Sequence, residues 1–169
     1  MYILINGTRL NTDPYVGTEI ERHITFSSEG YWEMRVDYYN QTWTRVFLVD
    51  WTAPNKVQNI RFILSNKNIT LTWDPVSETQ EFDIHRYYIY RSQSYDFVPH
   101  QSNLIAIIDG TEFADYVEED GTYYYRIIVV DKVGNLSPAS DLLTVDTINP
   151  GGANLGAIIG ISLAIVGGA

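Results

Sequence analysis

Residues 121–131 read GTYYYRIIVVD, and this run decides the fold. Its side chains alternate, with Tyr123, Tyr125, Ile127 and Val129 on one side and Tyr124 and Arg126 on the other, as in a half-buried β-strand. Working outward, NITLTWDP at 68–75 repeats the pattern with Ile69, Leu71 and Trp73. GYWEMRVDYYN at 30–40 does so again with Trp32, Met34, Val36 and Tyr38. The turn clusters SSEG (27–30), NKN (66–68), DPVSET (74–79), EEDG (118–121) and KVGN (132–135) separate such runs. Short strands between frequent turns are the rhythm of an antiparallel sandwich, so the expected class is all-β. No stretch before the C-terminal segment keeps an amphipathic helical period.

Pro54 marks a boundary, because it holds Ala53 extended and cannot continue a central ladder. The chain is therefore expected to hold a first β unit over 1–53, a complete sandwich over 54–147, a linker over 148–152 and an apolar segment over 153–169. Strands of the sandwich are expected at 57–63, 69–73, 85–90, 104–107, 112–115, 122–130 and 140–145.

Composition narrows the function classes. The 169 residues contain no cysteine, which excludes disulfides, thiolate metal sites and a cysteine nucleophile. A net charge of −10 repels phosphate backbones, so nucleic acid is not an expected partner. Aromatic residues at 14%, thirteen of them Tyr, separate the chain from disordered acidic tails. All of the charge lies before Thr147. From Ala153 to Ala169 only Asn154 and Ser162 are polar, and this uncharged run is expected as a membrane segment. As a helix it would span about 25 Å, short of the hydrocarbon core of about 30 Å. The N-terminal residues lack a basic and long apolar leader, so Met1 is expected to be internal to a longer protein.

APNKVQNIRF (53–62), NITLTWDPV (68–76), RYYIYRS (86–92), GTEFAD (110–115) and GTYYYRIIVVDKVGNLSPAS (121–140) resemble, in order, the strands of a fibronectin type III domain. The resemblance implies that Trp73 is a core tryptophan, that Tyr87 and Ile89 point inward, and that Tyr123 returns its hydroxyl to the backbone. The acidic EED before Gly121 departs from the family, which more often has a Leu and a Pro there. Residues 1–53 resemble the second half of a bacterial or archaeal immunoglobulin-like surface repeat, through the EGYW entry (29–32) and the VFLVDWTAP end (46–54). That analogy implies about five strands. A truncated repeat, a small complete domain, and completion by a strand from another molecule are the alternatives. The expected whole is a tandem of immunoglobulin-like β-sandwiches followed by the apolar segment.

No HExxH, GxSxG, P-loop or dinucleotide fingerprint is present, and no acidic run has calcium-loop spacing. His23, His85 and His100 are isolated in sequence. No catalytic residue, metal ligand or cofactor is therefore expected. Asn6, Asn40, Asn68 and Asn135 head N-x-[ST] sequons and are candidate glycan acceptors. If alternate residues of the third and sixth strands point inward, Tyr88, Tyr90, Tyr124 and Arg126 share the outer face as a candidate binding patch. These features suggest a non-catalytic, outward-facing module of a membrane-anchored cell-surface protein, with protein or carbohydrate as partner. The stalk of an extracellular glycoside hydrolase or protease, or the ectodomain of a membrane sensor, is the alternative.

Overall fold

Backbone pairing divides the computed structural model, which describes residues 2–10, 24–76, 84–148 and 158–161, into two units, Met1–Thr52 and Ala53–Ala169. In the first unit, β1 (Tyr2–Ile5), β2 (Thr8–Arg9), β3 (Gly30–Tyr38) and β4 (Gln41–Val49) form one antiparallel sheet in the order β2-β1-β3-β4. Asn6 and Gly7 carry φ of 44° and 78°, the left-handed pair that a two-residue hairpin turn requires. The register sets Trp32 opposite Phe47 and Val36 opposite Trp43, so the expected Trp32, Met34 and Val36 face is formed. Ile3 and Ile5 join it from β1, and Ile5 is buried. Phe26 covers one end, packing edge-on to Trp32 at 5.0 Å and to Phe47 at 5.5 Å. At the hairpin end the face opens, and Trp43 is 51% exposed. Among the described residues this unit is one four-stranded sheet, whereas about five strands of a sandwich were expected.

The second unit contains β5 (Arg61–Ser65), β6 (Asn68–Thr72), β7 (Ile84–Ser92), β8 (Leu104–Ile108), β9 (Glu112–Tyr116), β10 (Thr122–Asp131), β11 (Leu143–Asp146) and β12 (Ile158–Ile161). Two sheets form, in the orders β11-β10-β7-β8 and β12-β5-β6-β9. Ile69, Leu71, Ile89, Tyr125, Ile127, Val129, Leu143 and Val145 are almost wholly removed from solvent between them. These are alternate residues of their strands, which is why the period-two reading locates the core. Trp73 is buried and packs on Tyr87 at 5.4 Å, and Tyr87 and Ile89 point inward. Seven strands were expected in 54–147, and seven are found there among the described residues.

Two boundaries shift, each for a local reason. The first strand starts at Arg61 rather than Val57, because Asn59 adopts φ of 54° and interrupts the extended chain, with its amide donating to Asp74 at 2.6 Å. Val57 and Ile60 are nevertheless buried. The last starts at Leu143 rather than Ser140. Here side chains replace the ladder. The Ser140 and Ser137 hydroxyls accept from Ile127 N and Val129 N, each at 2.9 Å, while Ser140 N and Ser137 N donate to the carbonyls of those residues.

Within the apolar segment expected to cross a membrane, Ile158–Ile161 instead pairs antiparallel with Arg61–Leu64 as β12. The rest of 153–169 and most of the 148–152 linker lie outside the described residues. Among the described residues no helix is long and apolar enough to cross a membrane.

Candidate functional site: the outer aromatic face and the polar end of the sandwich

Strands β7 and β10 are hydrogen-bonded neighbours, which brings the candidate patch onto one face of the sheet. Arg126 lies opposite Tyr90, Ile128 opposite Tyr88, and Tyr124 opposite Ser92. Because Tyr87, Ile89, Tyr123 and Tyr125 are buried on the inner side, Tyr88, Tyr90, Tyr124 and Arg126 stand on the outer one. They are unequal in access. Tyr88 and Tyr124 are half-buried, whereas Tyr90 is only 8% exposed. Burial, followed by the neighbouring Tyr88, pushes the Tyr90 phenol above its ordinary pKa. Arg126 turns back on its own chain, donating from Nη1 to Ser140 O at 2.8 Å. Tyr95, which the sequence did not single out, extends the face by packing edge-on to Tyr124 at 5.6 Å.

The four sequons occupy different environments. Asn40 is exposed in the β3–β4 turn, and Asn68 is exposed at the start of β6. Asn6 is also exposed, with Oδ1 accepting from Glu33 N at 2.8 Å. Asn135 differs: its Nδ2 donates to Asp131 Oδ2 at 2.8 Å, and Ser137 of the same sequon is buried. Asp131, itself 1% exposed, also collects Val133 N, Gly134 N and Asn135 N, so its carboxylate organises this loop.

A second polar constellation was not visible in the sequence. Arg91 on β7 donates from Nη1 to both carboxylate oxygens of Asp115 on β9, at 2.9 and 2.8 Å. Tyr125 on β10 donates to the same carboxylate at 2.7 Å. The group therefore clasps one sheet to the other. Burial first, and then the bond to Asp115, raise the Tyr125 pKa far above that of a free phenol. The Arg91 guanidinium also lies over the Tyr123 ring, 5.6 Å from its centre. The Tyr123 hydroxyl donates to Glu119 O at 2.8 Å, which is the tyrosine corner implied by the resemblance, formed despite the acidic turn.

Beside this clasp is a cleft of about 480 Å³, lined by Arg91, Ser92, Gln93, Tyr116, Val117, Glu118, Glu119 and Tyr123. Lys67 Nζ reaches Glu118 O and lies 3.6 Å from Asp120, which ties the acidic turn to the β5–β6 hairpin. Of the histidines, His100 caps a 3-10 turn at Gln101–Asn103 by accepting from Ser102 N. His23 and the side chain of His85 lie outside the described residues. Among the described residues no group of three or more His, Asp or Glu is placed to hold a metal ion.

No protein-family model matches this sequence, and no curated protein does. Solved structures do. The sixth fibronectin type III domain of human fibronectin type III domain containing protein 3 has 16% identity and a TM-score of 0.50, covering 64% of this chain and 98% of its own. The FN1–FN3 fragment of chicken CNTN1 has 13% identity and a TM-score of 0.57, covering 88% of this chain and 53% of that one. A multidomain titin fragment has 13% identity and a TM-score of 0.52, covering 86% and 53%. At such identities the likeness is one of fold, and it agrees with the strand pairing, the buried Trp73 and the Tyr123 corner: the chain contains a fibronectin type III fold.

Proposed function

We propose that the chain is a non-catalytic, outward-facing module of a cell-surface protein, which presents or spaces a contact surface for protein or carbohydrate. The observation that carries this reading is the outer face of β7 and β10, where Tyr88 and Tyr124 retain accessible ring surface around the buried Tyr90. Half-buried aromatic rings with polar tips give contact area while losing little side-chain entropy. The first unit contributes a second β element of the immunoglobulin-like repeat type. Membrane contact through the apolar 153–169 segment rests on its lack of charge, and it would have Ile158–Ile161 exchange their pairing with β5 for the bilayer.

Surface digestion of intact cells making the protein tests the location. Peptides from 54–147 are expected from intact cells, and their release only after permeabilisation would overturn the reading. Removing 153–169 is expected to move the protein to the soluble fraction. For the contact surface, Tyr88→Ser with Tyr124→Ser is expected to reduce capture of the native partner at unchanged folding; lost stability with unchanged capture would reject it.

A further inference from the structure

We propose that the cleft beside the Arg91–Asp115–Tyr125 clasp is a binding site for a neutral mono- or disaccharide. It borders the β7–β10 outer face at Ser92, the partner of Tyr124, and goes beyond the module's general surface role. Its volume of about 480 Å³ falls in the range of about 300 to 1,000 Å³ of small-molecule clefts.

The lining selects the chemistry. Arg91, Ser92, Gln93, Glu118 and Glu119 bring donors and acceptors to one opening. Such a wall suits a ligand whose surface is mostly hydroxyl, and it disfavours a lipid or an apolar molecule. Charge excludes anions as well. The cations here are already paired, Arg91 with Asp115 through Nη1 and Lys67 with Asp120, while Glu118 and Glu119 are exposed. A phosphate, sulfate or uronate would meet net repulsion there. Tyr116 ends β9 at this cleft and is 61% exposed, offering a ring face to the C–H side of a pyranose.

The site is held open before any ligand arrives. Tyr123, which forms part of the wall, is fixed by its hydroxyl on Glu119 O and by Arg91 over its ring. Arg91 is in turn fixed across the two sheets by Asp115. Arg91 and Tyr123 therefore need no ordering on binding, which favours measurable affinity from a small ligand. The acidic EED turn, a departure from the resembled family, supplies two acidic residues of the wall.

Saturation-transfer NMR on the full chain with maltose, cellobiose and chitobiose as probes tests this. At least one probe is expected to receive saturation with millimolar affinity, and the exposed-site variants Tyr116→Ala and Glu118→Gln/Glu119→Gln are expected to weaken it tenfold or more. The variant Tyr88→Ser, four residues from Ser92 along β7, is expected to leave it unchanged, and it separates this site from the outer face. Transfer to none of the probes would overturn the proposal. So would transfer that survives Tyr116→Ala, transfer lost instead with the outer-face variant, or preferential binding of a cationic probe such as glucosamine.

Discussion

Ser137 and Ser140 are small residues with consequences out of proportion to their size. Each hydroxyl accepts from a β10 amide in place of a backbone carbonyl of a facing strand. Ser140→Ala would leave the Ile127 amide buried without that bond, at a cost of roughly 1 to 3 kcal/mol. Urea denaturation read by tryptophan fluorescence checks it, and Ser140→Thr is not an equivalent control, because its methyl enters a fully buried position. Tyr125 gives a pH prediction. Its pKa is raised by burial and by Asp115, so the folded state favours the neutral phenol. That stability is fully present below about pH 10, where free tyrosine titrates, and is lost as the pH climbs further. Phenolate absorbance is expected to show Tyr125 ionising only with unfolding. Tyr125→Phe removes the bond to Asp115 and is expected to cost roughly 1 to 3 kcal/mol at neutral pH. Glycopeptide mapping after expression in a glycosylating host is expected to find sugar at Asn40 and Asn68 in preference to Asn135, whose amide and sequon serine are both engaged.

Turns set the next scale. Tyr39 in the β3–β4 turn carries φ of 50°, a left-handed conformation that costs a side-chain-bearing residue about 1 to 2 kcal/mol. The residue is 90% exposed, and its ring packs edge-on to Tyr38 at 4.5 Å. Tyr39→Gly is therefore expected to raise the melting temperature of the first unit, and calorimetry measures it. Strands such as β10 and β6 were legible in the sequence because alternation is a local property of consecutive residues. The same rule correctly put Tyr88, Tyr90, Tyr124 and Arg126 on one face. It could not show that Tyr90 is covered there, since coverage depends on neighbours from other strands. Nor could it reveal the Arg91–Asp115–Tyr125 clasp, whose members sit on three strands and in both sheets. The late start of β11 was hidden for a different reason: Ser140 fits the alternation, and only its hydroxyl bond distinguishes a mimic of the ladder from the ladder itself.

At the scale of the whole molecule, charge is the common property. Asp37 is held below the usual carboxylate range first by Arg35 and then by Thr42, Glu29 by Thr52 and then Trp51 N, and Asp74 first by Asn59. Depressed carboxyl pKa values contribute stability above about pH 4 that is lost as the pH falls through them. The urea midpoint is thus expected to be lower at pH 3 than at pH 7, in both units, since Glu29 and Asp37 belong to one and Asp74 to the other. The serine hydroxyls of the 136–141 segment matter here as well. A β-strand with unmet amides is a template on which another molecule can grow, and many copies crowded on one surface would supply such partners continuously. By occupying the Ile127 and Val129 amides without continuing a regular strand, Ser140 and Ser137 remove that template from β10.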